Sequence, residues 1–233
     1  MCTSALAKLT LSLRVTGLAP DGRHLLDAEM VTVDLADTLT FSDGDGLEVT
    51  GPFARGVPAG DENLVRRALV AVGRQARVRL DKRIPAGAGL GGGSADAAAV
   101  LRWAGCYDLA VAASIGADVP FCLVGGRARV TGIGEMVEPL SLPARTFTLL
   151  VPPVAVSTAA VYRAWDDLGG PAGDGGNDLE PAALQVAPEL GRWRDALAEA
   201  TGRAPQLAGS GATWFVDGAF PGDGRIVVRT ARP

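Results

Sequence analysis

The 233-residue chain has little of what several common kinds of site require. It holds one histidine, His24. That excludes a histidine-based metal cluster, and a Ser/His/Asp triad would leave no histidine to spare. Its three cysteines, Cys2, Cys106 and Cys122, are odd in number and show no paired spacing. Neither a disulfide framework nor a zinc site follows from them. No apolar run approaches the roughly 20 residues of a membrane span. Residues 1–8 lack the basic-then-apolar layout of a signal peptide, so a cytoplasmic protein is expected. Positive charge is not in excess: the net charge is -4, which leaves no basic footprint for nucleic acid. No internal repeat is present. The remainder, 48% hydrophobic and 21% charged, suits a globular enzyme with a sizeable core, in one domain or two small ones.

Glycine, in contrast, is concentrated. Ile84-Pro85-Ala86-Gly87-Ala88-Gly89-Leu90-Gly91-Gly92-Gly93-Ser94-Ala95-Asp96 packs its glycines densely, and the helix-forming run Ala97 to Leu101 follows at once. Glycine lets the backbone take positive φ and lets a ligand approach amide N–H groups that a side chain would shield. A helix N-terminus adds unpaired N–H groups and the positive end of its dipole. The combination predicts an anion site, read as a phosphate-binding loop.

Along the chain, Lys8 to Thr16 alternates, with Leu9, Leu11, Leu13 and Val15 on one face and cations and hydroxyls on the other. This predicts a half-buried strand with a solvated polar face. Pro20-Asp21-Gly22 signals a turn before His24. Further strands are expected at residues 30–35, 38–41, 77–84, 121–124, 127–131, 147–151, 214–216 and 225–230. Helices are expected after Asp61 as a cap, from Ser94 to about Trp103, over residues 109–115, from Ser157-Thr158 to Leu168, after Asn177-Asp178, and over residues 188–201. Asp118 sits in a Gly/Pro-bounded corner ahead of the expected strand at Phe121. Pro139 and Pro143 bracket a plausible linker.

The spacing Gly87-x-Gly89-x-x-Gly92 satisfies the dinucleotide fingerprint, but that fold wants a near-continuous apolar strand before the loop. Here the preceding strand carries Arg79, Asp81, Lys82 and Arg83, which suggests a sheet solvated on one side. No Gly-Lys-Ser/Thr closes the loop, so it is not a Walker A loop. The His-Arg-Asp and Asp-Phe-Gly motifs of protein kinases are missing as well.

The stretch Pro85-x-Gly87-x-Gly89-Leu90-Gly91-Gly92-Gly93-Ser94-x-Asp96-Ala97-Ala98-Ala99 resembles the ATP loop of the GHMP kinases. Ala7-Lys8-Leu9, Pro20-Asp21-Gly22-Arg23-His24, Asn63-Leu64-Val65, Gly116-Ala117-Asp118-Val119-Pro120-Phe121, Ser157-Thr158, Asn177-Asp178-Leu179-Glu180 and Gly209-Ser210-Gly211-Ala212-Thr213 follow in that family's order. The resemblance implies an α+β, two-domain fold. An ATP-binding domain like domain 2 of ribosomal protein S5 would span residues 1–142, and a ferredoxin-like domain residues 143–233. It implies transfer of the γ-phosphate of ATP, with Mg²⁺, to the hydroxyl of a small molecule.

By the same resemblance Asp118 is the base and Lys8 lies beside it. Pro85, Gly87, Gly89, Leu90, Gly91, Gly92, Gly93 and Ser94 cradle the phosphates. Ser94 is placed to reach Mg²⁺, and Asn63 lies near the nucleotide. The implied acceptor is a cytidine diphosphate-linked polyol of isoprenoid precursor synthesis, contacted by Thr10, Arg23, His24, Thr158 and the Gly209, Ser210, Gly211 loop. Arg23 stands where the family has a stacking tyrosine, and Thr10 where it has an asparagine. The alternatives are a kinase of another small alcohol, or a nucleotide-binding relative with little catalysis. The retained Lys8 and Asp118 favour catalysis. No nucleic acid or membrane partner is expected, and the chain is read as a monomer or homodimer.

Overall fold

A computed structural model describes residues 1–233. Two long strands begin it. β1 (Cys2–Leu18) and β2 (His24–Ser42) pair antiparallel across the turn that contains Pro20 and Gly22. The alternation at residues 8–16 and 30–41 does lie in strands, but each strand runs longer than its clean alternating stretch. β1 also loses register with β2 between Leu6 and Lys8 and again between Thr10 and Ser12. Such irregularities re-aim side chains, and these two bracket Lys8, Leu9 and Thr10.

The chain continues through β3 (Gly46–Thr50), α1 (Leu64–Ala71) and β4 (Arg77–Asp81). Then come α2 (Gly92–Trp103), α3 (Leu109–Ile115), α4 (Val119–Val124), β5 (Arg127–Gly132) and β6 (Met136–Leu140). β3 and β4 are parallel, and the sheet runs β3-β4-β2-β5-β6 with β1 also on β2. A second sheet collects β7 (Thr146–Leu150), β8 (Gln206–Leu207), β9 (Trp214–Asp217) and β10 (Arg225–Arg229) in the order β10-β7-β9-β8. Its helices are α5 (Thr158–Asp167), α6 (Glu180–Val186) and α7 (Leu190–Thr201).

Several expectations are corrected. Residues 121–124 form the end of α4, not a strand. A four-residue apolar run carries no period of its own, and Pro120 is well suited to the first turn of a helix. α1 is capped by Asn63, whose Oδ1 accepts from Val65 N at 2.9 Å, and not by Asp61. The polar face of β1 is not solvated at its centre, because Lys8 and Thr10 are both buried. Lys82, just past β4, is buried too. β3 and β6 are two strands that the alternation does not predict, and β6 ends at Leu140, where the stretch bracketed by Pro139 and Pro143 begins.

The larger core forms around α2. Ala95, Ala97, Ala98 and Ala99 are all fully buried, and their small size lets the helix lie close to α1, α4 and β1. A smaller cluster joins the two sheets: Leu9 and Val33 pack with Phe147, Phe215 and Val228, and Ile84 and Leu90 belong to it too. Each such side chain contributes about 1.5–3 kcal/mol. Ile84 precedes the glycine stretch and Leu90 lies within it, so this cluster also seats the loop.

Candidate active site

The glycine loop leads into α2, whose N-cap is Gly91 at φ +67° with no side-chain cap. A Cβ on Gly91 would stand 2.6 Å from Lys8 Cγ. A Cβ on Gly89 (φ +77°) would stand 2.5 Å from the Ala208 carbonyl oxygen. Glycine is required at both by close approach as well as by positive φ. The loop's carbonyls are committed to its walls. Leu90 O accepts from Lys8 N at 3.0 Å, and Ala88 O accepts from Thr213 Oγ1 at 2.6 Å. The first helical donor is Ala95 N, bonded to Gly91 O at 2.8 Å. The N–H groups of Gly92, Gly93 and Ser94 are left without intrahelical acceptors at the positive end of the dipole. Such an arrangement can hold an anion.

Beside the loop, Lys8 Nζ lies 3.4 Å from Asp118 Oδ2 and donates to Thr10 Oγ1 at 3.1 Å. The lysine side chain is 6% exposed and the carboxylate 33%. With the carboxylate partly wet, their attraction is about 1–5 kcal/mol between water-like and surface-like screening. Asp118 occupies the N-cap position of α4 yet makes no capping bond, so its carboxylate is free to meet a ligand.

All of the expected site residues except Gly211 line one cleft of about 860 Å³, which also takes in Tyr162 and Lys82. Gly211 stands behind it, and its carbonyl would lie 2.7 Å from a Cβ on Gly89. At the far end the His24 ring stacks on Tyr162 with centroids 4.6 Å apart, and its Nε2 meets Asp166 Oδ1 at 2.8 Å. Arg23 is exposed and paired with Asp21 through Nε at 2.8 Å and Nη2 at 2.5 Å. Thr158 Oγ1 and Ser210 Oγ are 2.9 Å apart, closing one wall between α5 and the β8–β9 loop. Asn63 lines the cleft, but its amide is spent on Val65 N and Pro58 O.

Residues 63–126 match the model for the GHMP kinases N terminal domain. A 4-diphosphocytidyl-2-C-methyl-D-erythritol kinase of Cereibacter sphaeroides (strain ATCC 17029 / ATH 2.4.9) is 42% identical, over 91% of this chain and 87% of its own. The kinase of the same name from Ruegeria pomeroyi is 40% identical over 97% and 94%. The chain belongs to this kinase family. A crystal structure of 4-(cytidine 5'-diphospho)-2C-methyl-D-erythritol kinase superposes with a TM-score of 0.77 at 32% identity, covering 99% of this chain and 100% of that one. The α+β GHMP kinase fold is thereby established, and no helix is long and apolar enough to cross a membrane.

Within this kinase family framework, three features escaped sequence reasoning. Tyr162 sits beside the apolar stripe of α5 and was hidden by it. Asn177 holds the Gly209 loop, its Nδ2 donating to Leu207 O at 2.8 Å and Gly209 O at 2.7 Å. Lys82 forms a buried cluster with Asp37 and Asp96 beneath the glycine loop. Burial pushes the Asp96 carboxyl up to about 7 against the pull of Lys82, because one cation is shared by two carboxylates. A signal for Lys82 was available: all but two of the 22 basic residues are arginine, and the two lysines are Lys8 and Lys82. Burial also pushes the Cys122 thiol up to about 12, which leaves it protonated and inert. No group of three or more His, Cys, Asp or Glu residues gathers to hold a metal ion. A phosphate-borne Mg²⁺ fits such a cleft, since Mg²⁺ keeps most of its waters and takes few protein ligands.

Proposed function

We propose that this chain phosphorylates the 2-hydroxyl of 4-diphosphocytidyl-2-C-methyl-D-erythritol with ATP, in the non-mevalonate route to isoprenoid precursors, in the cytoplasm, as a monomer or homodimer. The names of its relatives support the substrate. The observation that carries the chemistry is that the Lys8–Asp118 pair and the free N–H groups of Gly92 to Ser94 line one cleft. Residues 1–142 and 143–233 would be the two domains, with the cleft between them.

In this reading the N–H groups of the loop and the dipole of α2 bind the β- and γ-phosphates. Asp118 accepts the proton of the 2-hydroxyl as its oxygen forms a bond to the γ-phosphorus. The bond to the β,γ-bridging oxygen breaks and ADP leaves, carrying that bond's electron pair. The Lys8 ammonium, already fixed by Thr10, steadies the negative charge that develops on the attacking oxygen without having to reorganise. Mg²⁺ bound with ATP would offset phosphate charge, with the Ser94 hydroxyl as its candidate protein ligand. At the other end, the Tyr162 and His24 rings and the Arg23 guanidinium offer flat surfaces for a pyrimidine.

The acceptor is the part with a rival. Arg23 and Thr10 depart from the family's tyrosine and asparagine, which favours a second reading as kinase of a different small alcohol. ADP release with 4-diphosphocytidyl-2-C-methyl-D-erythritol, mevalonate and homoserine as acceptors decides between them. Turnover with the first alone is expected. Turnover with either of the others in its place redirects the substrate, and none with any favours a nucleotide-binding role. Asp118→Asn should lower kcat by about 10²–10⁴-fold while ATP binding persists.

A further inference from the structure

Three ionisable side chains that the phosphoryl-transfer chemistry does not use are buried together under the phosphate loop. Asp37 is 0%, Lys82 2% and Asp96 2% exposed. Lys82 Nζ donates to Asp37 Oδ2 and, at 2.8 Å, to Asp96 Oδ2. The other Asp37 oxygen accepts from Arg83 N at 2.5 Å and Ile84 N at 2.8 Å, where the chain leaves β4 for the loop. Asp96 belongs to the second turn of α2, where the loop ends, and its Oδ1 has no partner. A Cβ on Gly92 would stand 3.1 Å from Lys82 Nζ, so the ammonium lies directly beneath the first residue of α2.

The cluster therefore ties β2 to both ends of the phosphate loop through a single nitrogen. It is an expensive way to hold a protein together. One cation cannot neutralise two buried carboxylates, and a well-packed apolar trio would be as stable or more so. What an apolar trio lacks is direction. Each bond here fixes a particular atom of the loop's entry or exit. The residue type fits that duty. In a chain whose other basic residues, Lys8 apart, are all arginine, this position holds a compact ammonium that can meet two carboxylates with one atom.

We propose that Lys82, Asp37 and Asp96 are positioning residues for ATP, which set the phosphate loop in its anion-binding shape. The inference rests on the kinase reading above. Asp37 does not line the cleft. An effect of Asp37 on phosphate binding must therefore pass through its partners: the loop entry at Arg83 and Ile84, and Lys82, which does line the cleft.

The test compares ATP with adenosine, by calorimetry, on wild type, Lys82→Arg and Asp37→Asn, with thermal unfolding alongside. Wild type is read first: if it binds neither ATP nor ADP, the kinase reading falls and takes this inference with it. With wild-type binding in hand, either variant should weaken ATP by about tenfold or more, the loss expected for one bond to a charged group, while adenosine changes less than about twofold. A purely structural role would lower Tm and leave the ATP-to-adenosine ratio untouched in the folded variant, and that result overturns the inference. Should Lys82→Arg fail to fold, Asp37→Asn decides alone. Its amide oxygen can still accept from Arg83 N and Ile84 N, while its attraction for Lys82 is gone.

Discussion

Replacing Thr10 by valine separates two roles for that residue. The Thr10 hydroxyl accepts from Lys8 Nζ at 3.1 Å, and the two residues are 2% and 5% exposed. Valine keeps the branched shape and strand preference of threonine but exchanges the hydroxyl for a methyl. The lysine then keeps Asp118, 3.4 Å away, and loses the partner that aims it. A buried hydrogen bond to a charged group is worth about 1.5–3 kcal/mol, so a loss felt mainly in the transition state lowers kcat by about 10–150-fold. Substrate affinity is not part of that loss. The assay is steady-state ADP release with both substrates varied. Expected are a fall in kcat in that range, KM values for ATP and acceptor within about twofold, and substantial recovery by Thr10→Ser. A rise in acceptor KM at unchanged kcat would refute the reasoning and make Thr10 a substrate contact. If neither parameter moves, Lys8 needs no such support.

Gly89→Ala places a methyl 2.5 Å from the Ala208 carbonyl oxygen at φ +77°, and should cost about 2–5 kcal/mol in urea unfolding and abolish ATP binding. Normal ATP binding would mean that the loop has room the structure denies. Tyr162→Ala removes the ring on which His24 stacks and should raise acceptor KM by about tenfold, with the KM for ATP unchanged. An equal rise in both would assign Tyr162 to general folding. For Glu180, burial raises the carboxyl above its usual 4.5 despite the pull of Arg194, and Oε2 has no partner. The native state then holds this proton to higher pH than the unfolded chain does, so the stability it contributes is full below 4.5 and lost as pH rises. Glu180→Gln should therefore raise Tm relative to wild type at about pH 8 and give no gain at about pH 4, and a Tm gain that is flat with pH would contradict the assignment.

The parts of the site that were legible in the sequence are those whose chemistry is local. A glycine loop running into alanines needs only a few adjacent residues to declare an anion cradle, and the alternation of β1 puts Lys8 opposite Leu9 without any tertiary knowledge. The Gly/Pro-bounded corner marks Asp118, but the sequence does not fix the element after it. Val119 to Val124 is short, apolar and proline-started, and such a run suits a buried strand or a helix equally until its partners are known. Tyr162 was lost for a related reason. On an amphipathic helix a ring at the edge of the apolar stripe looks like core, and only the His24 stack and the cleft beside it show otherwise.

The Asp37–Lys82–Asp96 cluster was out of reach for a different reason. Its members come from β2, the end of β4 and α2, and each alone has a more ordinary explanation. Lys82 in Arg79-x-Asp81-Lys82-Arg83 looks like one charge of a solvated strand face, and its neighbour Arg83 is indeed exposed. Periodicity cannot separate the two, since strand alternation assigns faces but does not say which face is wet. Residue chemistry can. A surface that needs positive charge accepts arginine or lysine, and this chain supplies arginine almost everywhere. A buried point between two carboxylates does not accept both, because a planar guanidinium needs more room than a single nitrogen. Scarcity is then informative in itself. Where one basic residue type is nearly absent, its few occurrences mark positions that the common type cannot fill, and here both of them line the cleft.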